Sequence, residues 1–356
     1  MRQSRLFPCL RVTIRGLCAP LPPRRFPFKE PRDRHGRAEP GLGSLRIEHG
    51  GGSACPLASP RQVLSLRETR GEAALGLVQS LTYRAAKRWI AGKDMDAALE
   101  RAKEANEKGL GTILNYLGED VSDPAVAESQ FEEYVRLQRA LIGKGVDGCV
   151  SVKLTQFGLG VVEDAHVVDK VALLAEEAGR AGRMVWIDME GSAVTTRTLA
   201  VYGRVFESRK NVGVALQAYL RRSEDDLRAL LAMGAKVRLV KGAYREPPDL
   251  VFRSRDEVTK NYLKLMRMLF EAGSGFAVAT HDSRPIREAV SLSRSIPGAR
   301  FEFEMLRGIR DDLKLKLAEE GHRVVDYMPY GEEWYPYSVR RIKEHPSNIL
   351  LLLRSL

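Results

Sequence analysis

Cysteine is scarce. Cys9, Cys18, Cys55 and Cys149 are the only four in 356 residues and none stands in a CxxC pair. Neither a zinc finger nor a disulfide-stapled secreted scaffold is supported, and a reducing compartment is the default. Histidine is thin as well, six in all, and His281 has no second His or Cys at ligand spacing, which leaves metal catalysis without support. No apolar run reaches the roughly 18 residues that a membrane helix requires, and stretches such as Val212 to Leu216 are strand-sized.

What is present is the composition of a globular chain, 44% hydrophobic and 29% charged. The net charge of +11 has the look of a nucleic-acid signal until it is divided along the chain. Residues 1–70 hold 14 Lys+Arg against 5 Asp+Glu, so the rest carries only +2 of the total, and nine of the 17 prolines precede Val63. The basic character therefore belongs to a tail, the body is nearly neutral, and no nucleic-acid partner is expected.

In the tail, PLPPRRFPFKEPRDRHGR and GLGSLRIEHGGGS show no apolar periodicity. Their proline and glycine density keeps them from burying enough surface to offset the entropy of ordering, so residues 1–63 are expected to be disordered. The stretch is Arg-rich with no acidic residue before Glu30, as in an organellar transit peptide, but Pro22-Pro23 and Pro27 interrupt any amphipathic helix. A silent extension, an over-called start codon and an arm for acidic surfaces are the other readings; its aromatics are too sparse for base stacking.

A helical lead-in follows over residues 64–108, and the body, 109–356, alternates short β-branched runs with longer amphipathic segments. Strands are expected at Gly111–Leu117, Cys149–Leu154, Met184–Asp188, Val212–Gln217, Lys236–Val240, Gly275–Thr280, Arg300–Met305 and Arg323–Tyr327. Between them Tyr262, Leu265, Met266 and Leu269 fall at helical spacing, as do Leu227, Leu230 and Leu231 behind a capping-type Ser223…Asp226. Eight strand–helix units run parallel with right-handed crossovers and match a (β/α)₈ barrel of the TIM type. The rival, an open doubly wound sheet, would carry GxGxxG after its first strand. Here that strand runs into Asn115-Tyr116-Leu117-Gly118-Glu119.

Active sites of such barrels form where the strands end. In order, these ends offer Glu119, Lys153, Asp188, Gln217, Lys241, Thr280-His281, Glu304 and Tyr327. Eight polar groups in a ring point to a site, although Lys241 or Glu304 could equally be solvated rim residues. In the last helix Pro336 suits the first turn, and Tyr337, Arg340, Arg341 and Glu344 share one face. Two adjacent guanidinium forks suit a carboxylate; the alternative is a surface helix whose buried side is Val339 and Ile342. Gly242-Ala243 beside Lys241 leaves bare backbone for a phosphate or flat ring, or is an ordinary turn.

NYLGE, SVKLTQFGL, WIDME, ALQAYL, VRLVKGAYRE, ATHD, FEFEML, YMPYGEEWYPYSVRRIKE and LLLLRSL, from about Trp89 to Leu356, together resemble proline dehydrogenase of the single-activity prokaryotic kind. The resemblance implies a (β/α)₈ flavoenzyme that oxidises L-proline to Δ1-pyrroline-5-carboxylate by hydride transfer to N5 of a non-covalent FAD. It implies that Arg340, Arg341 and Lys153 hold the substrate carboxylate, and that Tyr327, Tyr337 and Leu306 wall the ring. Glu119 would orient the arginine helix. Asp188 and Arg238 match catalytic positions, Asp188 expected to ion-pair with Lys153 and Arg238 to donate toward the flavin. For FAD the resemblance points to Met189, Gln217, Lys241, Gly242, Ala243, Thr280, His281 and Glu344. It further implies a quinone-type acceptor met at a membrane surface, and a cytoplasmic protein, or a mitochondrial one should the source be eukaryotic.

Tyr327 favours proline over 4-hydroxyproline, because hydroxyproline-specific relatives carry a small residue there. Two departures stand out: Asn115 replaces a frequent aspartate, and the helical arm before the barrel gives way to the tail, which leaves the oligomeric state open. A Schiff-base lyase using Lys153 or Lys241 as an amine nucleophile is a competing class on the same barrel. A binding protein acting through the basic tail is the other.

Overall fold

A strand that is buried on both faces needs apolar residues at nearly every position, and the β-branched runs of the body meet that requirement. The computed structural model describes residues 83 and 86–344, with only the backbone of 340–344. The strands are β1 (Gly111–Tyr116), β2 (Gly148–Val152), β3 (Val185–Ile187), β4 (Val212–Gln217), β5 (Lys236–Val240), β6 (Phe276–Ala279), β7 (Phe301–Leu306) and β8 (Val324–Tyr330). They pair in sequence order into a closed barrel, all parallel, and β8 returns to β1 with Ile113 beside Tyr327. Every expected strand is present. Only β8 runs well past its expected end, through Pro329, whose carbonyl accepts from the Ala91 amide.

The helices are α1 (Met95–Glu107), α2 (Pro124–Gly143), α3 (Asp164–Arg180), α4 (Ser192–Ser208), α5 (Ser223–Ala232), α6 (Arg255–Ala272), α7 (Ser283–Ser295), α8 (Asp311–Glu319) and α9 (Trp334–Glu344). In α6 the expected stripe of Tyr262, Leu265, Met266 and Leu269 is buried, behind a capping box formed by Ser254 and Glu257. The cap expected at Ser223 is not formed. Arg222 is the N-cap of α5, and the buried Ser223 hydroxyl instead donates to the Gln217 carbonyl, tying the helix to the end of β4. The expected disordered tail lies outside the described residues, as does the part of the lead-in before residue 83.

Alternation along the strands sends one set of side chains to the helices and the other into the barrel. Val237, Leu239, Phe276, Val278 and Phe303 belong to the large outer core, while Ile113, Trp186, Ala277 and Val325 pack inside with Cys149 and Tyr327. The inner space is unevenly shared. A Cβ on Gly213 would lie 2.3 Å from the Trp186 ring, so glycine there lets the indole cross the interior. The Arg238 guanidinium then stacks on that indole, 4.5 Å from its centroid.

Candidate active site

A charge inside a barrel survives only when it is paired. Arg238, mid-β5 and 2% exposed, has carboxylates on two sides: Nη1 donates to Asp188 and Ser151 at 2.8 Å each, and Nε lies 2.5 Å from Glu304. Burial alone would lower its pKa, but the Glu304 and Asp188 carboxylates outweigh that and hold it above the usual arginine value. Asp188 follows β3 and also accepts from the Ser151 hydroxyl at 2.8 Å and the Tyr327 hydroxyl at 2.6 Å. Burial and then that carboxylate push the Tyr327 phenol well up, so it stays a proton donor.

One expectation changes here, and one open alternative closes. Asp188 takes Arg238 as its cation, not Lys153; Lys153 pairs with Glu119 at 3.3 Å and donates to the Gly118 carbonyl. The inward sites of β2 alternate Cys149, Ser151 and Lys153; Ser151 bonds both Asp188 and Arg238, while Lys153, two places on, turns to Glu119 and Gly118. Glu304 is no rim residue either. It lies two positions before the end of β7, 3% exposed, and burial pushes its carboxyl up to about 8.

The mouth of the barrel is held together by charged and polar links between loops. Glu119, after β1, meets Lys153 after β2 and accepts from Tyr244 after β5. Lys241 pairs with Asp282 at 2.5 Å and donates to Thr259, while the Thr280 hydroxyl accepts from the Asp282 amide. His281 Nε2 accepts from the Leu306 amide at 2.8 Å, so the neutral ring carries its proton on Nδ1. Gln217 is buried and donates to the Glu190 carbonyl, next to buried Met189. Ala243 is exposed. Gly242 has φ +109 and a Cβ there would lie 2.1 Å from Tyr219, so a side chain at this position would have to displace that ring.

At the end of β1, Leu117 packs with Tyr337, Trp334, Trp89, Ile90 and Ala86, and Ser338 accepts from the Trp89 indole at 3.0 Å. The buried side of α9 is therefore Trp334, Tyr337 and Ser338, while Val339 is only half-buried. This disfavours the surface-helix reading, whose inner side was Val339 and Ile342. Arg340, Arg341 and Glu344 are helical as expected; their side chains lie outside the described residues.

Four participants escaped the sequence reading. Ser151 links Asp188 to Arg238, Trp186 carries the guanidinium, and Asp282 claims Lys241. The fourth, Glu190, is 3% exposed and accepts from the Thr155 amide and hydroxyl; burial raises its carboxyl to about 7. Period-two alternation back from Lys153 and Asp188 would have placed Ser151 and Trp186 inside the barrel. Asn115 donates to the Ser151 carbonyl and to Tyr134, which an ionised aspartate could not do.

The residues fit a flavin on one observation. Arg238 Nη2 is buried and has no hydrogen-bond partner among the described residues, a leftover donor that an accepting ring nitrogen or carbonyl oxygen would satisfy.

Comparison with known proteins agrees with this geometry. A family model described as Proline dehydrogenase matches residues 98–349. The chain is 34% identical over 274 residues to Proline dehydrogenase 2 of Bacillus subtilis (strain 168), covering 76% of this chain and 90% of the relative. It is 33% identical over 287 residues to Proline dehydrogenase of Deinococcus radiodurans, covering 79% and 92%. Among solved structures, proline utilization A from Bdellovibrio bacteriovorus, inactivated by N-propargylglycine, superposes with a TM-score of 0.71 at 26% identity. That match covers 81% of this chain but only 35% of the larger protein.

Proposed function

The chain belongs to the proline dehydrogenase family, and from that premise we propose that it oxidises L-proline to Δ1-pyrroline-5-carboxylate with FAD. The observation that carries the reading is the Asp188–Arg238–Tyr327 constellation inside the barrel, with Lys153 just after the end of β2. When bound, FAD supplies the hydride acceptor, N5. Met189, Gln217, Arg238, Lys241, Gly242, Ala243, Thr280, His281 and Glu344 are the residues proposed to hold it. Lys241, Thr280 and His281 suit its pyrophosphate and ring edge, with Arg238 donating toward the ring.

The chain's own part is positioning. Lys153, Arg340 and Arg341 grip the substrate carboxylate, and three cations around one anion fix its orientation where water is excluded. Tyr327, Tyr337 and Leu306 wall the pyrrolidine ring. Asp188 holds both Tyr327 and Arg238, so one carboxylate sets the substrate wall and the leftover guanidinium donor together. The Schiff-base alternative finds less support, because Lys153 and Lys241 each face a carboxylate, an arrangement that suits a cation better than an amine nucleophile.

A tyrosine at 327 leaves little room for a ring hydroxyl, which favours proline over 4-hydroxyproline. For the electron acceptor we propose a quinone. No described helix is long and apolar enough to cross a membrane, so that contact would be peripheral. The test is FAD reconstitution followed by anaerobic titration with L-proline. The flavin band bleaches on this account; protein that takes up no FAD, or flavin that stays oxidised, contradicts it.

A further inference from the structure

Glu304 has no part in the proposed chemistry, yet it is the acid closest to the cation at the centre of the site. Its Oε2 lies 2.5 Å from Arg238 Nε, and both side chains are 2% exposed. Glu302, two residues earlier on the same inward face of β7, puts a second carboxyl beside it, and two neighbouring acids resist ionising together. Behind Glu302 stands Arg323 at 3.9 Å, itself held by Asp147 through two bonds of 2.7 and 2.8 Å at the opposite end of the barrel. A line of charge thus runs through the barrel from Asp188 to Asp147, with Arg238, Glu304, Glu302 and Arg323 between.

We infer that Glu304 is a positioning residue of this site: together with Asp188 it fixes the Arg238 guanidinium, and its protonation sets how much of that cation's charge remains effective at the barrel mouth. The inference rests on the proposed function, in which Arg238 donates toward the flavin. With Glu304 protonated, Arg238 is balanced by Asp188 alone and the trio is neutral. When the proton leaves, a second negative charge lies against the guanidinium, and the site favours an electron-rich, reduced flavin less. The electron affinity of the bound flavin therefore falls as Glu304 ionises.

The groups facing Glu304 leave its proton as the one that moves. Arg238 on β5 and Asp188 after β3 are paired with each other, and Tyr262 of α6 and Cys149 of β2 are both raised, first by burial. Burial likewise lifts Glu302, against the pull of Arg323 and Arg238. The Glu304 carboxyl, up at about 8, is poised to change charge just above neutrality.

The test compares wild type, Glu304→Gln and Glu304→Ala as reconstituted holoenzymes. The flavin midpoint potential is measured from pH 6 to pH 9, with thermal unfolding followed over the same range. The glutamine keeps an oxygen against Arg238 and cannot ionise. Its potential should match wild type near pH 6 and lie above it at pH 9, because the wild-type trace bends downward near pH 8. Glu304→Ala, with nothing to hold Nε, should lose proline turnover by tenfold or more, and glutamine should restore it. Parallel potential traces for wild type and Glu304→Gln overturn the inference even where proline bleaches the flavin. If the protein takes up no FAD, the proposed function fails, and the unfolding traces decide the Glu304 pairing. A wild-type Tm that falls with rising pH more than that of Glu304→Gln supports it, and superimposed traces refute it.

Discussion

The Arg238 guanidinium and the Asp188 carboxylate meet at 2.8 Å in the barrel interior, joining mid-β5 to the loop after β3. Neither group is at the surface, so the pair is not screened as exposed ion pairs are. Removing Asp188 leaves Arg238 buried with Glu304, an acid that burial pushes toward its neutral form, as its remaining carboxyl partner. Asp188→Ala should cost about 3 kcal/mol of stability, as breaking buried pairs does, and lower kcat/KM for proline by about 10²-fold or more. Urea unfolding and steady-state kinetics check both; wild-type kinetics in a folded variant would remove Asp188 from the machinery.

Tyr327 contributes a ring and a hydroxyl that can be separated. Tyr327→Phe keeps the wall and loses the 2.6 Å bond to Asp188. The variant should bind proline with KM within about twofold of wild type and lose roughly tenfold in kcat, the scale of one charge-assisted hydrogen bond. Tyr327→Ser opens the wall instead, and should raise the ratio of kcat/KM for 4-hydroxyproline to that for proline.

At Gly242 the demand is steric. With φ +109 and the Tyr219 ring 2.1 Å from where a Cβ would stand, Gly242→Ala must displace backbone or ring. A loss of about 2 kcal/mol or more follows, measured by chemical denaturation. An unperturbed midpoint would show that the loop after β5 has slack.

Burial raises Glu190 to about 7 from its ordinary 4.5. A carboxyl raised on folding binds its proton more tightly in the native state, so its contribution is complete below about pH 4.5 and is lost as pH rises through 7. The amount is on the order of 3 kcal/mol. Glu190→Gln should flatten the fall in Tm between pH 5 and pH 8, and a variant as pH-sensitive as wild type would show the carboxyl titrating normally.

Much of this was legible because strand alternation and strand ends are local signals. Lys153, Asp188, Gln217, Lys241 and Thr280 stand at or immediately after the ends of β2 to β6, where reading one strand at a time put them. The partners were not legible. Asp188 and Lys153 are a plausible pair by charge and directly follow the last β2–β3 register pair, but Arg238, 50 positions further on, reaches Asp188 across the closed barrel and Glu119 takes Lys153. Glu304 was left open between site and solvated rim for a related reason. A carboxylate in a strand normally faces water, and nothing nearby in sequence announces that Arg238, 66 positions earlier, lies against it. The steric need for glycine at 242 was not legible either, because the Tyr219 ring that a Cβ would meet belongs to another loop.

The central claim is that α9 and β2 bring their cations to one substrate carboxylate, and the most direct measurement is the KM for L-proline in Arg341→Met, Lys153→Met and the double variant. Each single change should raise KM by about 10²-fold, the loss of a charge-assisted bond of about 3 kcal/mol. The double variant should fall short of the product, because the two cations share one partner. Wild-type kinetics in Arg341→Met would contradict the account, since the helix would then face elsewhere.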